Sequence, residues 1–145
     1  GPHSISQYLQ GDIMEGRSEI LVVDDNPGDA LLLHEAFEAN GSSVSLSRAR
    51  DGMDALGFLR RNKSHPTLIV LDIKMPRMGG LEFLKELRGD PSLKDIPVII
   101  LTGSDAPEDR KAARRLGVTD YSIKPGKLDG WVALARRLER IACTK

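Results

Sequence analysis

Three short runs constrain what this chain can fold into: residues 20–23, 67–71 and 98–101. Each is apolar or β-branched throughout and shows no period-2 alternation, as a strand covered on both faces of a parallel sheet requires. The central run lies in the stretch 67–80, TLIVLDIKMPRMGG, and stops at Asp72, while the first run stops at Asp24 and Asp25. A carboxylate placed where such a run ends sits at the strand's carboxyl edge, which is where open α/β sheets bind ligands.

The segments between the runs read as helices. Asn26 is a good N-cap, Pro27 suits the first helical position and Asp29 complements the dipole of the first turn. Ala30, Leu33 and Phe37 give that helix a buried stripe, and Asn40-Gly41 ends it. Val44, Leu46 and Ala49 then alternate with polar residues, which predicts a more exposed strand at a sheet edge. Asp51 caps a second helix with Ala55, Leu56 and Leu59 inward. Gly79-Gly80 opens a third, whose stripe is Leu81, Leu84 and Leu87, and the segment 89–91 ends it. Asp105 as N-cap and Pro107 start a fourth with Ala112, Ala113 and Leu116 inward, until Gly117 stops it. Residues 120–123 make a weaker fifth strand, and Trp131, Leu134, Ala135, Leu138 and Ile141 mark a final amphipathic helix. Strict alternation of five strands and five helices predicts a doubly wound, flavodoxin-like parallel sheet of order 2-1-3-4-5. Its topological switch point lies between the first and third strands, where Asp24, Asp25 and Asp72 meet.

Length and charge limit the alternatives. A chain of 145 residues is one domain by size. Lys plus Arg and Asp plus Glu both number 21, so no net field favours nucleic acid as the main partner. The single cysteine, Cys143, cannot close an internal disulfide. No signal peptide and no apolar run near 18 residues is evident, so a cytoplasmic protein with no membrane partner is expected. Residues 1–4 look like a tag-cleavage scar and residues 5–18 like a leader, with Met14 a candidate start; 19–143 form the domain. His3, His34 and His65 are scattered and make no site. The basic residues Arg110, Lys111, Arg114 and Arg115 read as a solvated face.

The strand ends collect Asp24 and Asp25, Asp72, Thr102 and Lys124. Three clustered carboxylates repel one another and are held ionised together by a cation; an all-oxygen site of that charge suits Mg²⁺. A carboxylate is also a competent phosphoryl acceptor, and such transfer depends on positioning and charge neutralisation. Lys124 can pair with one phosphoryl oxygen and the Thr102 hydroxyl can donate to another. Taken singly, each has a plainer reading. Asp24-Asp25 before Asn-Pro is common turn chemistry, Thr102 a strand-end Thr bonded to backbone, Lys124 a solvated loop lysine. The combination at one sheet edge is far more specific than any member.

These tokens, namely 21–25 (LVVDD), 72–76 (DIKMP) with Gly79-Gly80, Thr102, and 121–125 (YSIKP), closely resemble the receiver domains of two-component response regulators, over about residues 19–142. The resemblance implies Asp72 as phosphoacceptor, Asp25 and Asp72 as direct Mg²⁺ ligands with the Lys74 backbone carbonyl, and Asp24 as a water-mediated one. It implies Thr102 and Tyr121 as a switch pair, Lys124 as the phosphate-pairing lysine, and a cis Lys124–Pro125 bond. More narrowly, 25–29 (DNPGD) and 88–97 (RGDPSLKDIP) resemble stand-alone receivers that accompany bacterial phytochromes. Gly103 departs from the family's usual Ala or Ser, and Gly126 from its usual hydrophobic residue.

The expectation is a single-domain response regulator that is not an enzyme in its own right. It would take a phosphoryl group from a sensor histidine kinase, such as a bacteriophytochrome, and signal through the face of the fourth helix, fifth strand and fifth helix. A homodimer through that face is expected from the resemblance and from the apolar residues of 128–141. The alternative is a phosphorylation-independent interaction module with the same fold. An aspartyl-phosphate phosphohydrolase would want a second acid two residues after Asp72, where this chain has Lys74. Nucleotide binding lacks the Gly-rich phosphate loop.

Overall fold

The computed structural model describes residues 18–143, so residues 1–17, on which the expected tag scar, most of the expected leader and Met14 fall, lie outside the described residues. Along the chain run β1 (Glu19–Val23), α1 (Pro27–Ala39), β2 (Ser45–Ala49), α2 (Gly52–Arg61), β3 (Leu68–Leu71), α3 (Gly80–Gly89), β4 (Val98–Thr102), α4 (Pro107–Arg115), β5 (Asp120–Ile123) and α5 (Leu128–Cys143). The sheet is parallel throughout, with order β2-β1-β3-β4-β5. That is the doubly wound arrangement expected, with β2 and β5 at its edges.

Successive side chains of each strand supply opposite layers, as a pleated backbone demands. Leu21, Val23, Ile69, Leu71 and Ile100 pack with Leu56, Leu59, Phe83, Leu84 and Leu87 of α2 and α3. Ile20, Val22, Leu68, Val70, Ile99 and Leu101 pack instead with Leu33 and Phe37 of α1 and Trp131, Leu134 and Leu138 of α5. Both faces of the central strands are therefore dry, which explains their unbroken apolar character. Burying an aliphatic or Phe side chain of this kind contributes about 1.5–3 kcal/mol, so the site's framework rests on the buried core.

Several local expectations need correction. In α1 the buried residues are Leu33, Ala36 and Phe37, and Ala30 is only half-buried. In α3 Phe83 is buried where Leu81 was expected; Leu81 packs on the edge of the core and Phe83 fills it beside Leu84 and Leu87. Of the three inward residues of α4, only Ala113 is fully buried. Its N-cap is Ala106, whose methyl side chain has no atom to accept a cap bond, while Asp105, expected there, pairs instead with Arg110 Nε at 2.7 Å. No peptide bond among the described residues is cis, so the bond from Lys124 to Pro125 is trans, the isomer X–Pro bonds ordinarily prefer by about 0.5–1 kcal/mol. Helices α1 and α4 are followed by Gly41 and Gly117 at φ of 69° and 74°, the left-handed conformation that ends helices.

Candidate functional site

Strand register builds the site. Val23 lies beside Leu71 in the β1–β3 pairing, so the next residues, Asp24 and Asp72, emerge side by side. The Asp72 amide donates to the Val23 carbonyl at 2.9 Å and the Asp24 amide to that of Ala49 at 3.0 Å, which extends both ladders to the carboxylates themselves. On the other flank Thr102 pairs with Ile123, and the Lys124 amide donates to the Thr102 carbonyl at 2.8 Å. Four strands thus deliver their terminal residues to one edge.

Gly80 fixes the approach of α3 to this edge. A Cβ at that position would lie 2.1 Å from the Asp72 carbonyl oxygen and 2.8 Å from Ile73 Cα, so only glycine lets the helix start come this close. The Gly80 amide donates to the Ile73 carbonyl at 2.9 Å and holds the turn after Asp72 against the helix.

Asp24, Asp25 and Asp72 offer carboxylate oxygens that lie within 4.8 Å of one another. Asp24 and Asp72 are buried and Asp25 is exposed, so the cluster opens to solvent on one side. Asp24 Oδ1 accepts from the Asn26 amide at 2.9 Å, and Asp72 Oδ1 from the Ile73 amide at 2.7 Å. Each buried carboxylate keeps its second oxygen for the site. Burial pushes the Asp24 carboxyl above the usual value, against the Asn26 amide and the Lys124 charge, which pull it down.

Lys124 occupies the centre. Its ammonium lies 2.7 Å from Asp29 Oδ2, 2.9 Å from Asp72 Oδ2 and 3.1 Å from Asp24 Oδ2. Burial alone would lower its pKa, but the bonds to Asp29 and Asp72 and the charges of Asp24 and Asp72 raise it, and it stays cationic. Asp29, three residues into α1's first turn, is the member that sequence reasoning missed as a site residue. Its acidic character was legible only as a partner for the helix dipole, since nothing local says that a residue 95 positions away will reach it.

Thr102 is fully buried, and its hydroxyl oxygen accepts from the Ser104 amide at 3.4 Å. Tyr121 is half-buried, and its hydroxyl donates to the carbonyl of that same Ser104 at 2.8 Å. The two residues of the expected switch pair are therefore joined through one residue of the β4–α4 connection. The Ser104 hydroxyl donates to Asp109 at 2.7 Å, and the Arg110 guanidinium lies 4.5 Å above the centre of the Tyr121 ring. Arg110 is accordingly part of this ring contact rather than simply a solvated charge. Lys74 is exposed in the connection that follows Asp72. His34 lies 4.0 Å from Glu38 one turn along α1, an ordinary helix-surface pair.

In chemical terms the edge presents an all-oxygen donor set suited to a hard divalent ion, a carboxylate oxygen facing an ammonium, and a buried hydroxyl. The receiver-domain model of response regulators matches residues 20–136. The chain belongs to the response regulator receiver domain family. It is 39% identical over 121 residues to the response regulator MprA of Mycobacterium tuberculosis, covering 83% of this chain and 50% of that protein. The chain thus spans about half the length of that curated relative. Among solved structures it resembles the phosphorylated cyanobacterial phytochrome response regulator RcpA, with a TM-score of 0.81, 32% identity, and 88% and 95% of the two chains covered. It also resembles the Mn²⁺-bound response regulator Rcp1, with a TM-score of 0.76, 33% identity, and 84% and 91% covered. These neighbours carry the receiver fold that the strand order here shows.

Proposed function

We propose that this receiver takes a phosphoryl group on Asp72 from a phosphohistidine of a sensor histidine kinase and signals through a surface that changes with phosphorylation. The observation that carries the reading is the Lys124 ammonium, 2.9 Å from Asp72 Oδ2, beside two further carboxylates within 4.8 Å. In the transfer the histidine N–P bond breaks, an Asp72 O–P bond forms, and the imidazole nitrogen keeps the electron pair of the broken bond. Nothing is oxidised or reduced.

The donor set fits Mg²⁺, since hard carboxylate oxygens are grouped around a solvent-open side where retained waters have room. Asp25 and Asp72 with the Lys74 carbonyl would hold it directly and Asp24 through water; when bound, it neutralises charge on the phosphoryl oxygens. Asp72 supplies the attacking oxygen and is oriented by the Ile73 amide. Lys124 supplies a positive charge for a phosphoryl oxygen, and Thr102 a hydroxyl for another. Movement of Thr102 toward the phosphoryl group would act on Ser104, which also holds Tyr121. That link offers a physical route from Asp72 to α4 and β5.

The likeness to RcpA, whose solved form is phosphorylated and phytochrome-linked, supports a bacteriophytochrome-type kinase as the donor. The reading places the protein in the cytoplasm, with the domain spanning residues 19–143 and no catalytic turnover of outside substrates. Among the described residues no helix is long and apolar enough to cross a membrane. A phosphorylation-linked homodimer through α4, β5 and α5 belongs to the same reading; exposed Ile123 and Leu128 lie at that side.

Radiolabelled phosphate on the histidine of a bacteriophytochrome kinase is expected to move to this chain and not to Asp72→Asn. Sustained hydrolysis of a small phosphomonoester, with no label retained on the chain, would contradict the reading. Sedimentation that is identical with and without a phosphoryl mimic at every concentration would remove the dimer.

A further inference from the structure

Lys124 makes more bonds than the phosphoryl chemistry asks of it. An ammonium has three donors, and here they meet three carboxylates, those of Asp24, Asp72 and Asp29. Two of the three belong to the set grouped closely enough to share one cation; among the described residues that set is Asp24, Asp25 and Asp72, and Asp29 is outside it. Asp29 nevertheless makes the shortest of the three contacts, at 2.7 Å.

We propose that Asp29 is a positioning residue that holds the Lys124 ammonium at the site when a divalent cation takes Asp24, Asp25 and Asp72. The proposal rests on the phosphoacceptor reading above and deepens it. A divalent ion and an ammonium that share Asp24 and Asp72 repel each other, because the carboxylates between them lie within a few ångströms, so each weakens the other's hold on those two acids. Asp29 offers the ammonium a carboxylate that the cation does not use, so Lys124 yields Asp24 and Asp72 while remaining close enough to meet a phosphoryl group on Asp72.

The local fold keeps Asp29 in that place. Asn26 Oδ1 accepts from the Gly28 amide at 2.8 Å and the Asp29 amide at 3.3 Å, and Pro27 sets the first helical residue. The Asp29 backbone is therefore fixed by a capped helix rather than by a loose loop. Its side chain is only 20% exposed, so its charge acts on Lys124 with limited screening.

The test is a double-mutant cycle read by titration calorimetry with Mg²⁺ on the full chain. Asp29→Asn, nearly isosteric and neutral, is expected to weaken Mg²⁺ binding about tenfold, the effect of one nearby charge at a partly exposed site. Lys124→Met is expected to tighten binding, and Asp29→Asn added to Lys124→Met to change it less than twofold. Equal losses in the two backgrounds would overturn the proposal, since Asp29 would then act as a general negative charge and not through Lys124. No loss in the single Asp29→Asn variant would overturn it as well. A role confined to the helix would lower the melting temperature and leave Mg²⁺ affinity unchanged. Asp29→Ser, which keeps a polar first-turn oxygen, carries the same expectation and guards against a folding defect in the first variant. Asp25→Asn separates the two levels. Wild-type binding that Asp25→Asn abolishes but Asp29→Asn leaves intact sinks the Asp29 proposal alone, whereas a wild type that binds no Mg²⁺ overturns both readings.

Discussion

Arg77 grips Asp51 with two nitrogens, Nε at 2.7 Å and Nη2 at 2.6 Å, from a backbone whose φ is 64°. A non-glycine residue in the left-handed region costs about 1–2 kcal/mol, so the ion pair and the Gly52 amide bond to the Met78 carbonyl at 3.0 Å must hold it there. Together they tie the connection after Asp72 to the start of α2. Arg77→Ala, which keeps the strain and loses the pair, is expected to cost about 1–2 kcal/mol in chemical denaturation, because the arginine is half exposed while Asp51 is buried. Arg77→Gly should cost clearly less, because it relieves the backbone. Equal losses would show that the left-handed backbone carries no strain.

The same pair predicts a pH dependence. Burial would raise the Asp51 carboxyl, but the Asp54 amide and the Arg77 guanidinium outweigh it and hold the group below its ordinary value of 3.8. A carboxyl with a lowered folded pKa contributes stability that is present above 3.8 and is lost as pH falls through the folded value. The stability gap between the wild type and Asp51→Asn should therefore hold steady from pH 7 down to about 5 and narrow toward pH 3. A gap that widens on acidification would contradict this.

Gly80→Ala places a methyl group 2.1 Å from the Asp72 carbonyl oxygen, which is backbone and cannot rotate aside. Either α3 or the strand end must move, at a cost of about 3 kcal/mol or more. Thermal unfolding should show the loss, and labelling of Asp72 should fall with it. An alanine variant with unchanged melting temperature and labelling would mean that helix and strand end are not tightly apposed.

Gly103, the departure from the family pattern, behaves differently. A Cβ there meets nothing within 4 Å, and its φ is not left-handed. Gly103→Ala should then stabilise the chain by about 0.4–1 kcal/mol by restricting the unfolded state. Denaturant midpoints will check it, and a destabilised variant would contradict the open space found beside Gly103.

Much of this architecture was legible in the sequence because it depends on local statistics. The unbroken runs at 20–23, 68–71 and 98–101 identify strands buried on both faces, and Asp24, Asp25, Asp72, Thr102 and Lys124 stand where those strands or β5 end. What escaped depends on contacts between distant segments. Asp29 reads as a helix-start acid until the fold brings Lys124 to it. Arg88 stands out in the sequence only as the first residue of the segment 88–97, yet it donates to the carbonyls of Leu116, Lys94, Ile96 and Gly117 and ties the ends of α3 and α4 together. Asp105 looked like an N-cap because capping residues are chosen by type, whereas its pairing with Arg110 is set by where α4 turns. Phe83 was hidden by a regular leucine stripe, 81, 84 and 87, of which Leu84 and Leu87 are buried but Leu81 is not.

The claim that Asp72 is the phosphoacceptor is tested most directly by intact-mass spectrometry. The protein and Asp72→Asn are incubated with acetyl phosphate, with and without Mg²⁺. The account predicts one phosphoryl adduct on the wild type that requires Mg²⁺ and is missing from the variant. No adduct on the wild type where a control receiver is labelled, or an adduct that persists in Asp72→Asn, would contradict it.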